Sequence, residues 1–331
     1  MKRLLAATAA MLLLWLTGCS GGSGSQGGLS PSSKGASVAA TATQPTATQP
    51  SATQPTATQP TVTSNARVSQ GRPSPSASTA TPPPANNARG GQKNTTPPAR
   101  WRPVLGTTWQ WQLSGRPDLT VQAQIYDVDL FDTSADVVKR LHAQGRRAVC
   151  YFSAGSWEPG RPDSGAFPGA VRGRPLEGFE DERWLDIRRT DLLLPLMAKR
   201  LDLCRAKGFD GAEPDNVDGY ANPSGFPLTG VQQLRYNRAL AALAHARGLA
   251  VALKNDLDQV SLLAPAFDFA VNEQCAEYRE CNRLGPFVRA GKPVLHVEYN
   301  LPLASFCPAT RPLRFSSLLK HEDLGVYRLS C

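Results

Sequence analysis

Acidic residues are missing from the first third of this 331-residue chain: no Asp or Glu precedes Asp118. Histidine is scarce as well, with four in all, and no CxxC pair occurs. Little is left from which to build a zinc site, and no metal is expected. No GxGxxG or P-loop run follows the first candidate strand, which removes the usual nucleotide-binding signatures, and no cofactor is expected. No GxSxG elbow supports a serine hydrolase. The missing acids also decide where the charge lies. The chain has 36 Lys and Arg against 27 Asp and Glu, a net of +9. Eight of the cations fall before Trp101, so the 28 that remain face all 27 acidic residues. The rest of the chain is close to neutral. A nucleic-acid-binding module would carry a basic face on the domain itself, so no nucleic-acid partner is expected.

What is present at the front is a processing signal. Lys2 and Arg3 precede an apolar run over 4–16, which is too short for the roughly 20 residues of a membrane span. Leu16-Thr17-Gly18-Cys19 resembles the lipobox of bacterial lipoproteins, where cleavage precedes the cysteine and its thiol is lipidated. The competing reading is an ordinary secretory signal. Residues 1–18 are therefore expected to be removed and Cys19 to carry a lipid anchor. The protein would then be exported to the cell envelope, on the outer membrane in a Gram-negative cell, because Ser20 stands where a retention Asp would be. Six cysteines follow: Cys150, Cys204, Cys275, Cys281, Cys307 and Cys331. An even number in an exported chain reads as up to three disulfides, with fifteen pairings open. Cys275–Cys281 and Cys307–Cys331 are the local choices, which leaves Cys150–Cys204.

Residues 19–100 are Ser, Thr, Ala, Gln, Pro and Gly with almost no large hydrophobes, and Thr/Ser-Ala-Thr-Gln-Pro runs four times over 41–60. Proline at every fifth position prevents helix, and nothing here buries enough area to offset chain entropy. This segment is expected to be a disordered tether, with an end-to-end distance of roughly 50 Å.

From Trp101 onward short apolar runs alternate with amphipathic stretches. Candidate strands are 108–112, 123–126, 147–152, 211–213, 249–253, 267–271, 293–297 and 325–328. Helical patterns over 135–144, 192–206, 231–246 and 282–290 each run into a glycine, the expected C-terminal stop. Eight strands with intervening helices predict an α/β domain over 101–331 built as a (β/α)8 TIM barrel, with a doubly wound open sheet as the alternative.

Polar residues gather at the strand ends. Asp127 and Asp129 follow the second strand, Trp157 the third, and Glu213, Asp215, Asn216, Asp218 and Tyr220 the fourth. Lys254 and Asn255 end the fifth, Glu273 the sixth, Glu298 and Tyr299 the seventh. On a barrel these converge on the face that carries active sites. Two carboxyls flanking a glycosidic bond suit acid-assisted hydrolysis, and Trp109, Trp111, Tyr126, Trp157, Tyr220 and Tyr299 offer rings on which sugars could stack. So many carboxylates favour a cationic amino sugar over a neutral one.

The run Phe209-Asp-Gly-Ala-Glu-Pro-Asp-Asn-Val-Asp-Gly-Tyr220, with Asn272-Glu-Gln-Cys275 and Tyr126-Asp-Val-Asp129, resembles glycoside hydrolase family 114 over 105–330. The resemblance implies an endo-α-1,4-polygalactosaminidase on a TIM barrel, acting on galactosamine-containing polysaccharide. It places the family's catalytic Asp on Asp215, as nucleophile, and its catalytic Glu on Glu273, as acid/base. Tyr126, Asp127, Asp129, Trp157, Glu213, Asn216, Asp218, Lys254, Asn255, Glu298 and Tyr299 are the expected substrate-binding residues. A monomer is expected. The reading from another class is a lipoprotein that binds amino-sugar polymer on the same barrel without cutting it.

Overall fold

The computed structural model describes residues 100–331, and there the strand and helix alternation becomes a curled parallel sheet. The signal, Cys19 and nearly all of the tether lie outside the described residues. In chain order the elements are β1 (Trp109–Gln112), β2 (Ile125–Asp129), α1 (Ala135–Ala143), β3 (Arg147–Ser153), β4 (Ser156–Trp157), β5 (Arg172–Leu176) and β6 (Phe179–Leu185). Next come α2 (Thr190–Lys207), β7 (Gly211–Asp215), α3 (Gly230–Ala246), β8 (Ala250–Lys254), α4 (Val260–Leu263) and β9 (Phe269–Glu273). The chain finishes with α5 (Gly285–Arg289), β10 (Val294–Glu298), α6 (Leu303–Thr310), β11 (Ser316–Leu319) and β12 (Leu329–Ser330). Strands β1, β2, β3, β7, β8, β9, β10 and β11 pair parallel in that order, and β12 adds antiparallel to β11. Strands β4, β6 and β5 form a separate antiparallel sheet inserted between β3 and α2.

Two expectations need correction. The eighth parallel strand is β11, not 325–328. Ser-Ser-Leu-Leu is too short and too polar to stand out as a strand, whereas 325–328 reads apolar and crosses the seam of the sheet instead. The closed barrel is the second. Among the described residues no ladder joins β1 to β11. Side chains and irregular backbone bridge that seam: Trp109 Nε1 donates to Ser316 O (2.8 Å), Gln110 Nε2 to Val326 O (3.0 Å), and Leu113 N to Leu324 O (3.0 Å). The β1–β2 connection holds no helix, since Ser114, Gly115 and Pro117 make it a turn. The architecture is a curled half-barrel.

Period-two alternation along the strands sorts the core into two layers. Trp109, Trp111, Ile125, Val149, Ala250, Ala252, Phe269, Val271, Leu295, Val297 and Leu318 fill the inside of the curl. The other strand faces pack against Val137, Val138 and Leu141 of α1, Leu193, Met197 and Leu201 of α2, and Tyr236 and Leu240 of α3. Alanines at 250 and 252 leave room for the two tryptophans opposite. The expected glycine stops are present: Gly145, Gly208, Gly248 and Gly291 all have positive φ. A Ser134 cap opens α1 and a Thr229–Gln232 capping box opens α3.

Three disulfides join Cys150–Cys204, Cys275–Cys281 and Cys307–Cys331, the pairing reached from the local choices. The first ties β3 to α2 across 54 residues, the second closes only 6. Loop-closure entropy assigns such spans about 4 and about 2 kcal/mol. Replacing Cys150 and Cys204 by alanine is therefore expected to lower the unfolding free energy by about 2 kcal/mol more than replacing Cys275 and Cys281, read from denaturant midpoints.

Candidate active site

The same alternation that buries Ala250 and Ala252 carries one step further to Lys254, which also faces inward. By this rule Asp127 follows Ile125, Tyr151 follows Val149, Glu273 follows Val271 and Tyr299 follows Val297. Glu213 and Asp215 share the inward parity of Gly211. All lie at the C-terminal end of the sheet.

Lys254 is the hub. Its Nζ donates to Asp215 Oδ1 at 3.0 Å and lies 3.3 Å from Glu273 Oε2 and 3.4 Å from Glu213 Oε1. Trp111 lies beneath it, with the ring centroid 4.7 Å away. Lys254 is only 2% exposed. Burial works against its charge, but Asp215, Glu273 and Glu213 outweigh burial and raise its pKa well above that of an ordinary lysine.

Each of the two facing carboxylates has its own donors. Asp215 accepts from Asn216 N (2.7 Å) at Oδ1 and from the Tyr151 hydroxyl (2.9 Å) at Oδ2. Glu273 accepts from the Tyr299 hydroxyl (2.5 Å) at Oε1 and from Asn255 Nδ2 (3.2 Å) at Oε2. Burial first, and then Asp215 and Glu273 respectively, push the Tyr151 and Tyr299 hydroxyls well above the usual phenol range, so both remain donors. Asn255 also ties β8 to β9, its Oδ1 accepting from Glu273 N (3.0 Å) and Asn272 Nδ2 (3.2 Å). Immediately after β7, β8 and β9 the backbone turns through left-handed residues Asn216, Asn255 and Gln274. The β3 end packs so closely on this turn that a Cβ on Gly155 would lie 1.7 Å from Asn216 O, so only glycine fits there.

Around this centre are groups that burial holds partly protonated. Asp218, bonded by Asn222, is pushed up to about 6 by burial and then by the Asp215 charge. Glu182 of β6 is pushed up to about 7 by burial. It accepts from the Ser156 hydroxyl (2.7 Å), which in turn accepts from Asn216. Asp127 and Glu213 lie fully buried beside Lys254.

Several expected binding residues lie elsewhere. Tyr126 has the opposite strand parity: its ring is buried in the outer layer, and its hydroxyl donates to the carbonyls of Asp118 and Val121. Glu298 also points outward, where it accepts from Ala276 N (2.8 Å) and lies 2.7 Å from His296 Nε2. Asp129 is taken up by Arg161 (2.7 Å) and by the backbone N–H groups of Phe131 and Asp132. Trp157 sits on the inserted sheet with the Arg172 guanidinium over its ring at 4.2 Å, so one stacking face is occupied. Trp109 and Trp111 are core, not stacking platforms. Tyr151 and Glu182 were not expected. The parity of Val149 could have revealed Tyr151. Glu182 has no sequence signal, because its place depends on how the β4–β6 insert folds back. Among the described residues, Cys275, Cys281 and His296 bring ligand-type atoms together, but the two sulfurs are joined and offer no thiolate.

Asp256 gives a measurable consequence. Burial, and then Asp218, push it up to about 8, while Tyr220 (3.2 Å) and Asn237 (2.9 Å) bond its oxygens. The folded state thus keeps a proton that the unfolded chain releases near pH 4. The stability this confers is complete below about pH 4 and is lost as pH rises through about 8. Asp256→Asn is expected to flatten the fall in stability between about pH 5 and 8, measured by urea unfolding at each pH. The slope that remains belongs to Asp218, Glu182, Glu158, Asp127 and Glu213, which act in the same sense.

The model of glycoside hydrolase family GH114 matches residues 90–331. A crystal structure of Aspergillus fumigatus Ega3 in complex with galactosamine is 37% identical, with a TM-score of 0.67 over 70% of this chain and 98% of that one. The glycoside hydrolase domain of Pseudomonas aeruginosa PelA is 15% identical, with a TM-score of 0.54 over 67% of this chain and 98% of that one, a likeness of fold. No curated protein matches the sequence. The family model and the Ega3 match both span the described fold with its ring of inward carboxylates, and the chain belongs to glycoside hydrolase family GH114 and is a glycoside hydrolase.

Proposed function

We propose that this chain cleaves within α-1,4-linked galactosamine-containing polysaccharide, with retention at the anomeric carbon and Asp215 and Glu273 as the working pair. The observation that carries this reading is their meeting at one ammonium. Contacts of 3.0 and 3.3 Å to Lys254 keep the facing oxygens no more than about 6.3 Å apart, below the roughly 6.5–9.5 Å gap of inverting glycosidases and compatible with the roughly 5–5.5 Å of retaining ones. Ega3, solved with galactosamine, supports the sugar.

In the first step the Asp215 carboxylate attacks the anomeric carbon. The glycosidic C–O bond breaks as protonated Glu273 gives its proton to the leaving oxygen. Water then enters, Glu273 takes its proton, and the hydroxide oxygen displaces Asp215 to release the sugar with its original configuration. Tyr151 and Asn216 N hold Asp215 in line, Tyr299 and Asn255 orient Glu273, and Lys254 spreads its charge across both. The insert helps form a cavity of about 810 Å³ lined by Asp132, Glu158, Glu180, Asp181 and Glu182 with Arg161, an acidic surface suited to cationic sugars, whose Glu182 also feels the Asp215 charge.

The lipid anchor at Cys19 and the tether would let a monomeric domain search polymer around the envelope, on the outer membrane in a Gram-negative cell. That part of the reading rests on residues 1–100 of the sequence. Wild type is expected to release reducing ends from polygalactosamine, and Asp215→Asn and Glu273→Gln each to lose about 10³-fold or more in kcat with polymer still bound. Polymer bound by wild type with no reducing ends released would overturn the proposed cleavage of polygalactosamine.

A further inference from the structure

Beneath Lys254 lie two carboxyls for which the proposed reaction has no use. Asp127 of β2 and Glu213 of β7 are both 0% exposed. Their side chains are within hydrogen-bonding reach of each other. All four of their oxygens lack any other hydrogen-bond donor among the described residues. The titratable and charged groups facing this corner are Tyr151 from β3, Asp215 from β7, Lys254 from β8, Glu273 from β9 and Tyr299 beyond β10. Lys254 is the cation among them, already drawn to Asp215 at 3.0 Å. Trp111 supplies an apolar wall.

Two ionised carboxylates in contact at such a place would repel, with only Lys254, already shared with Asp215 and Glu273, to offset the repulsion, and four buried oxygens would stay without a hydrogen-bond donor. One proton between them lowers both costs: an acid O–H donates to the partner carboxylate, which pairs two of the four oxygens, and the pair keeps a single negative charge. We propose that Asp127 and Glu213 share one proton, and that this singly charged pair positions Lys254 from below for Asp215 and Glu273. Burial pushes Asp127 up to about 7 and Glu213 well above the usual carboxylate range, in keeping with a retained proton. The two titrate as one unit. They are positioning residues, acting on the sugar only through Lys254. Their effect on catalysis rests on the proposed function. The shared proton does not.

Infrared difference spectra taken across pH test the proton directly. Asp218, Glu182 and Asp256 contribute acid carbonyl bands of their own, so the readout is wild type minus variant. A band titrating near pH 7 is expected in wild type and in Glu273→Gln, and is expected to vanish in both Asp127→Asn and Glu213→Gln. An amide in either place donates to the remaining carboxylate and preserves one charge. Each single variant should therefore lose about threefold in kcat, and the double variant, with no charge left under Lys254, at least about thirtyfold. A band that survives in both single variants overturns the shared proton. A double variant no worse than the singles overturns the positioning role. Should the double variant fail to fold, the spectra of the single variants decide. If Glu273→Gln keeps cutting polymer while the band behaves as expected, the catalytic reading falls and the shared proton stands.

Discussion

A single ammonium organises this protein. Lys254 is almost wholly removed from water, a position that costs several kcal/mol unless the charge is matched on every side. Asp215, Glu273 and Glu213 match it at 3.0, 3.3 and 3.4 Å, and the Trp111 ring closes the fourth side. The dependence is mutual. Those carboxylates come from β7 and β9, on either side of β8, and would repel one another without the cation between them. Their separation is thus set by a length of lysine and the pitch of a parallel sheet. Both are stiffer than a loop, which is what the proposed Asp215–Glu273 pair requires.

What carries the lysine to that spot is parity. Residues 250, 252 and 254 share a face, so the small side chains that make room for Trp109 and Trp111 are followed by the one cation the centre needs. The same count brings Val149 to Tyr151, Val271 to Glu273 and Val297 to Tyr299. At the ends of β7, β8 and β9 the chain turns through left-handed Asn and Gln residues. All three put their side chains to use: Asn216 donates to Ser153 and Ser156, Asn255 braces Glu273, and Gln274 donates to Glu277.

Parity also explains what could and could not be read from the sequence. The strand ends with their carboxylates, the glycine stops after the helices and the two short disulfides were legible, because each depends on residues close in the chain; Cys150–Cys204, 54 residues apart, followed only as the pair left over. Tyr126 and Glu298 stand at strand ends yet miss the centre, because neighbouring residues there face opposite layers. Asp129 has the right parity but meets Arg161, which arrives from the insert and could not be foreseen. For the same reason Glu182 was invisible. The last parallel strand was missed because Ser316 and Ser317 owe their place to the seam with Trp109 and not to any hydrophobic pattern.

The outward carboxylates turn out to support the inward ones. Glu298 sits one residue before Tyr299 in the chain and on the opposite face, and it holds Ala276 N just beyond the Cys275–Cys281 bridge. His296 and Ser317 complete that buried cluster behind β10. Since Gln274 turns left-handed directly after Glu273, the segment leaving the centre is clamped within three residues by a disulfide and a charge-assisted hydrogen bond. At the other end of the sheet Asp210 bonds Ala148 N and lies within 2.8 Å of His142 and Arg147, and Asp268 does the same for Val251 N and His245. Acidic residues that look alike in the sequence therefore fall into two groups by the face they occupy. Those inside gather around a common cation, save Asp129, which Arg161 takes up, and of them Asp215 and Glu273 are the pair proposed to meet the substrate. Those outside bond backbone N–H groups and neighbouring histidines, and their work is to brace the strands.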